Sequence, residues 1–207
     1  MATSERSTRA PFDGDLRRAL LDAALASVAV DDPANLSLRA VAREVGVSHA
    51  APKNHFGDKT GLLTAIAIEG FQRLGHDMIV AAAAAPSPLQ ALTAGGARYV
   101  GFAIEHPGYF RVMWRNELLD RDDPDLDRSS ELALDGLRQM IESAQDAGWA
   151  PGRPAMDLAV LAWSAVHGLA QLYLDGPLGA LVEDDIEHLT GSMVELIRVG
   201  FEPGAGS

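Results

Sequence analysis

The chain has no cysteine, which excludes disulfides and thiolate metal sites and permits a reducing compartment. Aromatic residues are few, at 6% of the chain, but hydrophobic residues as a whole make up 47% of 207 residues, enough to bury a sizeable core. No uninterrupted apolar run approaches the roughly 18 residues that a membrane span requires, and residues 1–11 are polar rather than an apolar leader. A soluble cytoplasmic protein without a membrane partner is therefore expected. Chemistry-bearing motifs are missing too. There is no HExxH, no GxSxG and no Walker loop, and His49, His55, His76, His106, His167 and His188 never stand four apart as a helical metal pair would. These absences predict a chain with no catalytic residues, no metal and no cofactor. The acidic run from Asp120 to Asp127 reads as a solvated loop rather than as acid–base machinery.

Positive charge is scarce overall, with a formal net charge of −12, but it is unevenly placed. Residues 1–60 hold eight Lys/Arg and eight Asp/Glu, whereas the remainder holds nine against twenty-one. A neutral N-terminal part beside a strongly acidic C-terminal part points to nucleic acid at one end and a solubilising surface at the other.

What is present is helical periodicity. Residues 1–12 form a Ser/Thr/Arg-rich arm and residues 203–207 a Gly/Pro/Ser tail, both expected to be disordered. A first helix opens at Asp13 or Asp15 and closes at Asp31-Asp32-Pro33. Ser37 caps a short second helix that Gly46 stops, and Ser48 caps a third that runs to Phe56. Asp58 precedes a long helix from Lys59 to Ala85, and further helices are predicted over 88–106, 107–119, 129–147, 154–174 and 183–199, separated by Pro and Gly. The expected architecture is all-α: a three-helix helix-turn-helix DNA-binding domain over 13–58, then a larger ligand-binding and dimerisation domain over 59–202.

The segment from Ser37 to Phe56 carries this reading. A helix-turn-helix needs a small residue where its helices cross, a glycine at the tight turn and apolar residues that fix a steep angle; Ala42, Gly46 and Val41, Val45 and Val47 supply them in order. Together with Gly46-Val47-Ser48, His55-Phe56 and Asp58-Lys59 followed by Leu62 and Leu63, the segment over about 14–64 resembles the TetR family of bacterial repressors. The stretch Trp163 to Leu169, with His167-Gly168, looks like the Trp-His-Gly signature of one TetR C-terminal subgroup, as does His106-Pro107 leading into Tyr109 to Met113. Two positions depart from the family pattern: Pro52 and Lys53 stand where an apolar residue and then a tyrosine are usual, which leaves backbone contact intact and alters base reading.

A recognition helix in the major groove presents its N-terminal residues to base edges, which makes Ser48, His49, Ala50, Ala51, Lys53 and Asn54 the candidate DNA contacts. His55 is a candidate for phosphate. Ser37 and Lys59 begin helices whose free amides suit a phosphate, with Arg39 a nearby donor. In the C-terminal part, Phe71, Phe102, Tyr109, Phe110, Met113, Trp114, Met140 and Trp163 are candidate walls of a site for a small apolar or aromatic ligand, and His167, Gln171 and Arg111 are its polar candidates, with Gly168 providing room. Trp163, Val166, Ala170 and Tyr173, then Val182, Ile186, Leu189, Met193 and Leu196, repeat every three to four residues and suit a four-helix bundle that makes a homodimer through the last two helices. A two-fold dimer matches double-stranded DNA with a palindromic operator. The resemblance implies a repressor that a ligand releases from that operator. The alternative is a helical ligand-binding or scaffold protein without sequence-specific DNA binding.

Overall fold

The computed structural model describes residues 13–178 and 186–200; the expected arm at 1–12, the tail at 203–207 and the expected helix start at Glu183, with Val182, lie outside the described residues. The helices are α1 (Asp13–Val30), α2 (Leu38–Val45), α3 (Ala51–Phe56), α4 (Lys59–Ala83), α5 (Pro88–Glu105), α6 (Pro107–Met113), α7 (Pro124–Asp146), α8 (Ala155–Leu174) and α9 (Ile186–Gly200), and no strand occurs among the described residues.

Prolines explain where helix starts depart from the sequence reading. Proline lacks an N–H and fixes φ, so it fits a first helical turn and little else. Pro52 accordingly lies in the first turn of α3, which begins at Ala51 and not at Ser48, and no side chain caps it. Ser48 instead sits in the preceding turn, its carbonyl accepting from Ala51 N at 3.0 Å. Pro124 likewise opens α7 rather than breaking a loop, because the Asp123 carboxylate accepts from the amides of Asp125 and Leu126 at 2.8 and 3.2 Å. α6 ends at Met113, and a 3₁₀ turn over Asn116–Leu118 carries the chain onward.

α4 is the spine. It packs on α5, α6 and α7, and its first turns touch α3 and α1, while α1 lies against α6 and α2. One continuous core results, in which Leu20 and Val28 of α1, Leu62, Leu63 and Ile66 of α4, and Phe102 and Phe110 are almost fully buried. A smaller cluster of Ile141, Ala144, Trp149 and Leu158 closes the α7–α8 corner.

The expected dimer seam on α8 faces inward: Val166 and Ala170 are buried within the subunit. The face left exposed is Met156, Val160 and Leu172, at 43, 48 and 52%, with Ser164 and Gly168 on the same stripe at four-residue spacing. On α9, Leu189 and Met193 pack on the core, whereas Leu196 is 74% exposed. An apolar exposed face explains why α8, at a mean hydropathy of 1.2, reaches the length and composition of a membrane span although the sequence shows no uninterrupted apolar run.

Candidate DNA-binding helix and ligand cavity

Each turn of the N-terminal unit is fixed by a specific local bond. Ser37, in extended conformation, accepts from Ala40 N through its hydroxyl at 3.4 Å and starts α2. Gly46 ends it at φ 77°, ψ 31°, and the amides of Gly46 and Val47 reach back to the carbonyls of Arg43 and Ala42 at 3.2 and 2.9 Å. This crossed pair of bonds needs the left-handed backbone that glycine adopts without strain. The Asp58 carboxylate caps α4 by accepting from Gly61 N at 2.9 Å. Gly61 is obligatory for steric reasons, since a Cβ there would lie 2.0 Å from the Phe56 carbonyl oxygen. The Arg17 guanidinium covers the Phe56 ring at 5.0 Å and ties α1 to the end of α3.

The expected DNA-facing residues divide into two groups. Ser37, Arg39, Ser48, His49, Ala50, Lys53 and Asn54 are exposed, and His55 is half-buried. Ala51 is buried beside Pro52 and turns inward, because the later start of α3 rotates it onto the core side. The Lys59 amine donates to the Ala34 carbonyl at 2.6 Å and so braces the loop after α1. Arg43, on the exposed side of α2, joins Arg39 and Lys53 as a third cation. None of these three makes an ion pair among the described residues, whereas Arg18, Arg98, Arg115, Arg138 and Arg198 all do.

A polar hub joins this unit to the rest. The Glu69 carboxylate on α4 accepts from Arg18 Nη1 of α1 at 2.7 and 2.8 Å, from the Tyr109 hydroxyl of α6 at 2.6 Å and from Arg73 Nε at 2.9 Å. Burial alone would raise the pKa of Glu69, but the bonds from Tyr109, Arg18 and Arg73 outweigh it and hold the group below the usual carboxylate range. Arg115 adds a second clamp through Asp32 at 3.0 Å, and Thr64 Oγ1 accepts from Asp120 N at 2.9 Å.

A cavity of about 270 Å³ lies between α4, α5, α7, α8 and α9. Its walls are apolar: Phe71, Leu74 and Met78 from α4, Leu92, Gly96 and Tyr99 from α5, Ala133, Leu134 and Leu137 from α7, Trp163 and Val166 from α8, Val194 and Ile197 from α9, and Trp114 and Trp149. Thr93, Ser130, Glu131 and Arg198 are the polar members. A second lobe of about 180 Å³ shares Phe71, Trp114, Ser130 and Trp163 and adds Met113, Asn116, Arg121 and Asp127. Aromatic rings meet edge to face in the wall, with Phe71 and Trp114 centroids 5.1 Å apart at 88°.

Of the expected ligand contacts, Phe71, Trp114 and Trp163 line the main cavity and Met113 the smaller lobe. Phe102 and Phe110 are fully buried in the core and Tyr109 is committed to Glu69; none of the three faces the cavity. Met140 lies behind the wall against Gly95, where a Cβ would meet its sulfur at 3.2 Å. Gln171 donates to Asp175 on the surface, and Arg111 Nη2 to the Leu174 carbonyl at 3.5 Å. Gly168 stands on the exposed stripe of α8, where an added Cβ meets nothing within 4 Å. His167 sits one layer out: its Nδ1 bonds the Tyr99 hydroxyl at 2.9 Å, and that hydroxyl accepts from Trp163 Nε1 at 3.1 Å. Burial pushes His167 below its ordinary 6.5 and raises Tyr99, so a neutral imidazole holds a protonated phenol in the cavity wall. Trp114 Nε1 is buried without a hydrogen-bond partner among the described residues.

Tyr99, Leu134, Leu137 and Trp149 were not among the expected contacts. Leu92, Gly96 and Tyr99 on α5, and Ser130, Leu134 and Leu137 on α7, each repeat at four and then three residues, and this spacing was the available signal.

Residues 20–66 match the family of bacterial regulatory proteins called tetR, and residues 92–197 match the tetracyclin repressor-like C-terminal domain. No curated protein matches the chain in sequence. A protein with unknown function from Rhodococcus sp. RHA1 shares 28% identity over 97% of this chain and all of its own, with a TM-score of 0.79. The TetR family transcriptional regulator PfmR of Thermus thermophilus has the same fold at 19% identity and a TM-score of 0.72, over 89% of this chain and 99% of its own. So does the transcriptional regulator FadR of Bacillus subtilis, solved in complex with stearoyl-CoA, at 14% identity and a TM-score of 0.73, again over 89% and 99%. With its helix-turn-helix and C-terminal halves both matched, the chain belongs to the TetR family of DNA-binding transcriptional regulators.

Proposed function

We propose that the protein is a repressor that a small, mainly apolar molecule releases from a palindromic operator. The observation that carries this reading is the course of α4: it starts against the recognition helix α3 and, three turns later, supplies Phe71, Leu74 and Met78 to the cavity wall. A ligand that fits one tilt of α4 better than another shifts the spacing of two recognition helices, which must match half-sites about 34–36 Å apart. Arg39, Arg43 and Lys53 serve as phosphate contacts, and Ser48, His49, Ala50 and Asn54 face the base edges. Two subunits meet through the exposed stripe Met156, Val160 and Leu172 of α8, where Ser164 and Gly168 permit close approach, together with Leu196 and Val199 of α9. The same course of α4 supports a domain division at 58/59, with α4 counted as part of the sensing half. FadR of B. subtilis, with its bound stearoyl-CoA, supports a ligand role for the helical half.

An engineered cavity of about 150 Å³ admits benzene, so about 270 Å³ suits a ligand of roughly twice that size. The test challenges the protein–DNA complex with aromatic and aliphatic amphiphiles of that size, in wild type and in Ala133→Phe, which adds a phenyl ring to the cavity wall. Release of wild type but not of Ala133→Phe, with equal DNA affinity in the absence of ligand, is the expected outcome. Equal release of both proteins would detach the response from this cavity.

A further inference from the structure

The charge in the cavity lining distinguishes among ligand classes, an inference that rests on the cavity being the ligand site. Asp127 and Glu131 stand one turn apart on α7 and share a face; Asp127 lines the smaller lobe and Glu131 the main cavity, with Ser130 lining both. No hydrogen bond or ion pair among the described residues engages either carboxylate. The two cations in the lining are differently placed. Arg198 is neutralised by Glu195, with its Nε 2.7 Å from Oε2. Arg121 lines only the smaller lobe, where it donates to Asn116 Oδ1 at 2.5 Å. Asp127 and Glu131 are the two of the six carboxylates between Asp120 and Glu131 that line these cavities, against Arg121 and the already paired Arg198, so the α7 side of the lining favours positive charge.

In the same lining Trp114 and Trp163 lie with centroids 5.3 Å apart, and Phe71 stands edge-on to Trp114. Aromatic rings in a lining that also holds two exposed, unpaired carboxylates form an environment that rewards a positive charge and penalises a negative one. We propose that the cavity selects an aromatic or apolar cation, with its hydrocarbon body between α4, α5 and α8 and its ammonium-like group held near Asp127 and Glu131. A fatty acid or another anion of the same size would bring its charge up against the same two carboxylates.

All three tryptophans of the chain line this cavity, so intrinsic fluorescence reports its occupancy. The probes are benzyltrimethylammonium, its neutral isostere neopentylbenzene, and 4-phenylbutyrate, titrated into the full chain, into Asp127→Asn/Glu131→Gln and into Ala133→Phe. The expected result is that the cation binds wild type about tenfold more tightly than the anion, that the double substitution narrows this to about threefold or less, and that Ala133→Phe weakens every probe. Tighter binding of 4-phenylbutyrate, or a cation preference that survives the double substitution, would overturn the charge selection and leave the cavity standing as a ligand site. Binding that is indifferent to Ala133→Phe, or no binding of any probe, would overturn both.

Discussion

Replacing Glu69 by glutamine removes a charge that three donors share across α1, α4 and α6. The amide keeps the shape but turns one acceptor into a donor facing a guanidinium. A hydrogen bond to a sheltered charged group contributes about 1.5–3 kcal/mol, whereas an exposed ion pair is worth only about 0–1. The Arg18 side chain is 40% exposed and that of Glu69 22%, so the site lies between these limits. The Tyr109 bond is the most sheltered of the set, and with the Arg18 pair it sets the expected loss at about 2 kcal/mol at neutral pH. That corresponds to a fall in Tm of about 4–8 °C for a chain of this length. The pH dependence has a definite sign. Glu69 titrates below its ordinary 4.5 in the fold, so its contribution is complete above 4.5 and is lost as pH falls through the lowered folded value. Urea midpoints of wild type and Glu69→Gln should differ at pH 7 and converge in acid. Equal midpoints at pH 7, or a gap that stays undiminished at about pH 3, would refute the assigned partners.

Gly61→Ala should cost about 2–4 kcal/mol in urea unfolding, because its Cβ meets a backbone oxygen at 2.0 Å; Gly75→Ala, with open space on the same helix, should be neutral or stabilising by up to about 1 kcal/mol. Val160→Arg with Leu172→Glu should yield a monomer by light scattering, and an unchanged dimer mass would place the interface elsewhere. His167 is held neutral by burial, so wild type should lose stability relative to His167→Gln as pH falls below 6.5; a constant difference from pH 7 to about pH 5 would contradict that assignment.

Backbone chemistry was the most legible part of the sequence. Ser37, Gly46 and Asp58 act where their side chains or their freedom from a Cβ demand, and every helix predicted from periodicity is present over the described residues. Helix starts were less legible: Pro124 opens α7 within the run expected to be a solvated loop, and Pro52 lies in the first turn of a helix that begins at Ala51 rather than at Ser48. The cavity was legible only in part. Large side chains such as Phe102 and Phe110 look the same in sequence whether they fill a core or line a void, and the choice depends on how five helices cross. The same limit applied to α8, which is apolar on two faces: periodicity showed the buried face of Val166 and Ala170, while the exposed one of Met156, Val160 and Leu172 emerged only from packing.

Sequence-specific DNA binding through the exposed face of α2 and α3 is tested most directly by enriching duplexes from a random pool with the protein and then measuring anisotropy of the enriched duplex between about 50 and 200 mM salt. The expected result is a palindromic consensus, with log affinity falling linearly against log salt and a slope that Arg39→Ala/Arg43→Ala/Lys53→Ala, which removes three cations from each subunit of the dimer, makes shallower by about five. No enriched sequence, or a slope that the triple substitution leaves unchanged, would contradict it.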